Sequence, residues 1–95
     1  MIVAEMSITP IGEGTSVSKY VKAAIKYLKE NGVKFQTNPM STVIEVEDLE
    51  TLFNVVKKAH EAVLEAGAKR LITDLKIDDR RDKEITIESK LKAIR

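Results

Sequence analysis

Ninety-five residues allow one modest hydrophobic core and are too few for two separately folding units. Sixteen Lys plus Arg against fifteen Asp plus Glu leave a formal charge of +1, so no net field draws the chain onto nucleic acid or an anionic membrane. Cysteine is absent, which removes disulfide frameworks, thiolate metal sites and thiol nucleophiles together and leaves stability to packing or assembly.

Ile2, Ala4, Met6 and Ile8 alternate with Val3, Glu5, Ser7 and Thr9, the period of two that marks a strand with one apolar face, and Pro10 stops it by removing a backbone donor. The same segment has an acidic residue and neither a basic flank nor a long apolar run. It therefore reads as neither signal peptide nor membrane span, and a cytoplasmic location is the default expectation. Gly12 and Gly14 with Thr15, Ser16 and Ser18 form a loop rich in N-cap candidates. Val21, Ala24, Ile25 and Leu28 then recur at helical spacing until Asn31-Gly32 closes a first helix. Val33, Phe35 and Thr37 alternate with Lys34, Gln36 and Asn38; beyond the turn Asn38-Pro39-Met40-Ser41, Thr42, Ile44 and Val46 alternate with Val43, Glu45 and Glu47, which makes a hairpin. Asp48 is placed as an N-cap with Glu50 in the first turn of a second helix. Its stripe is Leu52, Val55, Val56, Ala59, Val63 and Ala66, and Gly67 ends it. Leu71, Thr73, Leu75 and Ile77 alternate with Ile72, Asp74, Lys76 and Asp78 as a fourth strand. After a polar stretch, Ile87, Leu91 and Ile94 mark a short amphipathic helix that the basic fold leaves without a place.

The order βαββαβ predicts an α+β, ferredoxin-like antiparallel sheet of strand order 4-1-3-2 with two helices on one face. That topology brings the loop of residues 10–18 beside the turn of residues 38–41, a rim of glycine backbone, hydroxyls and an Asn amide that suits a small polar ligand, unless these residues simply make turns. The face away from the helices carries Val3, Glu5, Ser7, Gln36, Glu45, Asp74 and Lys76. Two readings stay open there: cross-strand ion pairs of Glu5 or Glu45 with Lys76, or acidic groups converging on a pocket that a partner subunit covers.

Other chemistry is sparse. His60 sits beside the stripe of the second helix, where a boundary position outweighs a catalytic or metal-binding one, and no triad or metal set can be built. Gly12-Glu13-Gly14 falls short of a dinucleotide fingerprint and lacks the lysine of a P-loop. Phe35 and Phe53 fit core positions. Tyr20 lies near the glycine loop, where it can stack on a ring, and no aromatics mark the open face for RNA.

Three spaced segments carry a resemblance that covers nearly the whole chain. They are Pro10-Ile11-Gly12 with Ser16-Val17-Ser18-Lys19-Tyr20-Val21, then Pro39-Met40-Ser41-Thr42-Val43-Ile44-Glu45, then Lys76-Ile77-Asp78-Asp79-Arg80 with Lys90. In these the chain resembles the small thiamine-binding proteins, relatives of the YkoF-like thiamine and hydroxymethylpyrimidine binders. The resemblance implies that residues 1–95 are a single ferredoxin-fold domain. It further implies a homodimer or homotetramer that binds thiamine or a related pyrimidine without catalysis, cofactor or metal. Thiamine combines a thiazolium cation with an aminopyrimidine. On that basis Glu45 is expected to recognise charge or an amine, Ser7, Ser16, Thr37, Asn38 and Thr42 to offer hydrogen bonds from the strand and turn, and Tyr20 with Met40 to contact the rings. The alternative is an interaction or regulatory module that uses the open sheet face.

Overall fold

The computed structural model describes residues 1–15 and 17–95. Along the chain run β1 (Ile2–Pro10), α1 (Ser18–Glu30), β2 (Lys34–Thr37), β3 (Thr42–Val46), α2 (Leu49–Glu65), β4 (Leu71–Asp79) and α3 (Ile87–Ala93). The strands pair antiparallel in the order β2-β3-β1-β4, which is the expected 4-1-3-2 arrangement read from the other edge.

The helices start and stop where local chemistry dictates. The Asp48 side chain accepts a 2.7 Å hydrogen bond from the Thr51 N–H and so caps α2. That bond holds the Asp48 carboxyl below its usual pKa. Gly32, at φ 64°, takes the left-handed conformation that ends α1. At the other end of α1 the sequence expectation is corrected: Val17 occupies the N-cap and no side chain caps it, while Ser16 lies outside the described residues.

The main core lies between the helices and one sheet face. Ile2, Ala4 and Met6 of β1 and Ile44 and Val46 of β3 meet Leu28 of α1 and Leu52, Val55 and Ala59 of α2. Two aromatic assignments shift. The buried stripe of α1 runs through Tyr20, Ala24 and Leu28, one residue round from the expected Val21, and Tyr20 extends the core with Val63 and Ala68. Phe53, expected inside, is 53% exposed, because the stripe of α2 passes through its neighbour Leu52.

The C-terminal helix finds its place on the opposite sheet face. Thr86 and Ser89 form a capping box, each side chain accepting from the other's backbone N–H at 2.9 and 2.8 Å. Ile85 and Ile87 bury themselves against Val3, with Val43 and Leu91 packed around them. Val3 and Val43, apolar on an otherwise polar face, are thus the floor of a second, small core, whereas Ile94 stays outside it.

Candidate functional site

The strands differ in length, and the difference makes a notch. Residues Ile2 to Met6 of β1 pair with β3, whose first residue Thr42 lies opposite Met6. From Ser7 to Pro10, β1 pairs with β4 alone. The space left on the β3 side is a cavity of about 150 Å³ between the start of α1, the β2–β3 turn and the end of β1.

Six of the eight residues singled out from the sequence meet around this cavity: Ser7, Tyr20, Thr37, Asn38, Met40 and Thr42. Ser16 lies outside the described residues. The turn is closed by the Asn38 N–H donating to the Ser41 carbonyl at 2.9 Å, and Met40 stands at its tip, 87% exposed. Tyr20 is buried on the opposite wall, and its hydroxyl donates to the Glu13 carboxylate. That hydrogen bond, with burial and the neighbouring negative charge behind it, raises the pKa of Tyr20, so the phenol keeps its proton. Ser41 donates at 3.1 Å to Glu5. Two carboxylates, Glu13 and Glu5, are thereby tied to the rim through Tyr20 and Ser41. Sequence reasoning set the loop that carries Glu13 beside the turn but gave neither carboxylate a role there. Their signals were present: Gly12 and Gly14, both at positive φ, flank Glu13, and Glu5 precedes Ser7 on the same strand face.

Glu45 is elsewhere. It lies three residues beyond Thr42 on β3, roughly 10 Å along the strand, opposite Val3 and Lys34, and is only 7% exposed. Its Oε1 accepts from the Ile87 N–H at 2.8 Å, and its Oε2 lies 3.6 Å from Lys34 Nζ, which also reaches Glu88 at 2.8 Å. The hydrogen bond to Glu88 raises the pKa of Lys34 against the opposing effect of desolvation, and the same bond lowers the pKa of Glu88. Glu45 also lines a wider hollow of about 500 Å³ at this opposite end, together with Asn31, Glu47, Thr51 and Asn54.

The expected convergence of acidic groups at the sheet centre does not form. Glu45 opposes Val3 while Asp74 opposes Ser7, four residues apart on β1 or roughly 13 Å. Among the described residues no group of three or more His, Asp or Glu is placed to hold a metal ion. The cross-strand pair on this face joins Glu45 to Lys34 rather than to Lys76, and Lys90 of α3 reaches Asp78 at 2.5 Å. His60 joins α2 to β4, its Nδ1 lying 2.7 Å from Thr73 Oγ1.

Comparison with known proteins identifies the family and the fold. A family profile described as "Thiamine-binding protein" matches residues 4–95. A UPF0045 protein of Methanocaldococcus jannaschii is 53% identical over 93 residues, covering 98% of this chain and 91% of that one. A second, from Methanothermobacter thermautotrophicus, is 46% identical over 96 residues, covering 100% and 97%. The crystal structure of the M. jannaschii protein superposes with a TM-score of 0.88 over 98% of this chain and 94% of that one. A Thermotoga maritima structure described as a putative thiamine biosynthesis/salvage protein superposes at 0.82 with 28% identity, covering 99% and 98%. With a family profile spanning almost every residue and the same fold in close relatives, the chain belongs to the thiamine-binding protein family.

Proposed function

We propose that this protein binds thiamine or a related pyrimidine, without transforming it, in the notch between β1, α1 and the β2–β3 turn, and that it does so as a homo-oligomer. The observation that carries the reading is the meeting of Ser7, Tyr20, Thr37, Asn38, Met40 and Thr42 around one cavity. Ser7, Thr37, Asn38 and Thr42 bring hydroxyls and an amide to it, the Met40 thioether stands on the turn and the Tyr20 ring forms the opposite wall, the mixture that orients a small heterocycle. At about 150 Å³ the cavity has room for a single substituted ring. The pyrimidine therefore enters and the thiazolium stays at the rim, where Glu13 and Glu5 supply negative charge. Glu45, committed to Lys34 and the start of α3, acts on the fold instead. Membership of the thiamine-binding family supports this ligand class. The reading of the open sheet face as a protein-docking module loses ground, since α3 already occupies Val3 and Val43.

Calorimetry with thiamine and with hydroxymethylpyrimidine tests the proposal. Both ligands are expected to bind, and at about a hundred times its dissociation constant a ligand adds roughly 2.7 kcal/mol of stability per site. Replacing Glu13 by Gln should weaken thiamine while sparing the uncharged pyrimidine. Absence of heat with both ligands would remove the function.

A further inference from the structure

The register of β1 fixes which backbone groups face the notch. The Ile11 N–H donates to the Arg70 carbonyl at 2.9 Å, so at Ile11 the peptide groups point toward β4. In an antiparallel strand the N–H and C=O of one residue point the same way, and successive residues alternate sides. Thr9 and Ser7 therefore also point toward β4, and Pro10, Ile8 and Met6 point toward β3. Met6 has Thr42 opposite it there. Pro10 has no N–H. Beyond the end of β3, Ile8 is thus the residue that presents both a donor and an acceptor to the notch. It lines the cavity, and β3, whose pairing with β1 ends at Met6 opposite Thr42, supplies no strand partner to its backbone N–H and C=O.

We propose that the Ile8 peptide edge reads the heterocycle in this cavity, an inference that rests on the notch being the binding site. The N–H donates to a ring nitrogen and the C=O accepts from an exocyclic amine on the adjacent carbon. This two-point match selects a six-membered heteroaromatic ring with an amine beside a ring nitrogen, as in an aminopyrimidine, held edge-on in the plane of the sheet. Tyr20 and Met40 are then available to the ring faces, and Thr37, Asn38 and Ser7 to the remaining substituents. Selection follows from polarity. An oxo analogue, with a carbonyl in place of the amine and a proton on the ring nitrogen, turns its acceptor toward the Ile8 carbonyl and its donor toward the N–H. Both backbone groups then stay unsatisfied in a confined space. The affinity difference expected is at least about tenfold.

Nuclear magnetic resonance on the full chain labelled with nitrogen-15, titrated with hydroxymethyl aminopyrimidine and with its oxo analogue, decides the matter. The aminopyrimidine is expected to move the Ile8 amide downfield and slow its hydrogen exchange, and the oxo analogue to bind at least tenfold more weakly. If the aminopyrimidine binds with the Ile8 amide unmoved, or if both compounds bind equally, the backbone reading is wrong while the proposed function stands. If neither the aminopyrimidine nor thiamine binds, both fail together.

Discussion

A glutamate on the polar face of a sheet, read from its strand period alone, invites a ligand, yet Glu45 is taken up by Lys34 on the neighbouring strand and by the first residue of a helix more than forty residues later in the chain. At 7% exposure its carboxylate accepts from the Ile87 N–H and faces the Lys34 ammonium. Truncation to Ala strands a buried donor and leaves a cation with half its counter-charge. We expect Glu45→Ala to destabilise the fold by about 1.5–3 kcal/mol, the usual cost of losing a hydrogen bond to a charged group. Glu45→Gln, which keeps an acceptor for Ile87, should cost less. Urea unfolding measures both. The two possible roles of this residue separate cleanly: a ligand anchor would give Glu45→Gln normal stability and poor thiamine affinity, whereas the observed contacts demand lowered stability and near-normal affinity. Sequence could not have made this distinction, because residue type and face were legible but the contact depends on where α3 docks.

At the scale of elements, legibility followed the strength of local signals. The period-two strands, the Asp48 cap and the Gly32 stop were each written within a few residues, and the hairpin and the topology came with them. A helical stripe fixes orientation less sharply, so Tyr20 took the position read for Val21 and Phe53 fell outside. The spacing of Ile87 and Leu91 announced an amphipathic helix, but an apolar face does not name what it covers. Ile85, which precedes the helix and is buried against Val3, carried no signal. The neighbourhood of the 10–18 loop and the 38–41 turn was readable from topology; the notch also needed the register.

The anchoring of α3 carries its own pH dependence. Glu88, lowered by its hydrogen bond to Lys34, contributes stability above the ordinary glutamate pKa and loses it as the pH falls through its depressed folded value. Lys34, raised by Glu88, contributes below the ordinary lysine pKa and loses it as the pH rises through its raised value. The clamp is therefore intact across neutral pH and weakens at both extremes. In an acid titration the methyl resonances of Ile85 and Ile87 should shift before those of Leu52 and Ile44 in the main core. Simultaneous change would mean that these ion pairs do not hold α3.

For the whole molecule, the docking of α3 changes where the proposed oligomer can form. Removing residues 84–95 uncovers Val3 and Val43 and strips Glu45 of the Ile87 N–H, so such a truncation tests the fold before it tests assembly. The surface left over lies at the β4 edge of the sheet. There no strand among the described residues pairs with the outer edge of β4 over its nine residues, and Ile72 is 47% exposed on the polar face. An open edge of that length with apolar side chains beside it favours pairing with a second copy, while the alternating charges Asp74, Lys76 and Asp78 limit the registers that can form. We expect light scattering to show a dimer or tetramer at micromolar concentration. Ile72→Lys should shift it toward monomer, because an ammonium replaces a group that assembly would bury. The substitution leaves the main core untouched, so circular dichroism should be unchanged. Loss of assembly with a native spectrum places the contact on β4. An undiminished oligomer moves it to another surface, and a monomeric wild type removes the homo-oligomer from the proposal while leaving the notch, which is built from one chain, as the ligand site.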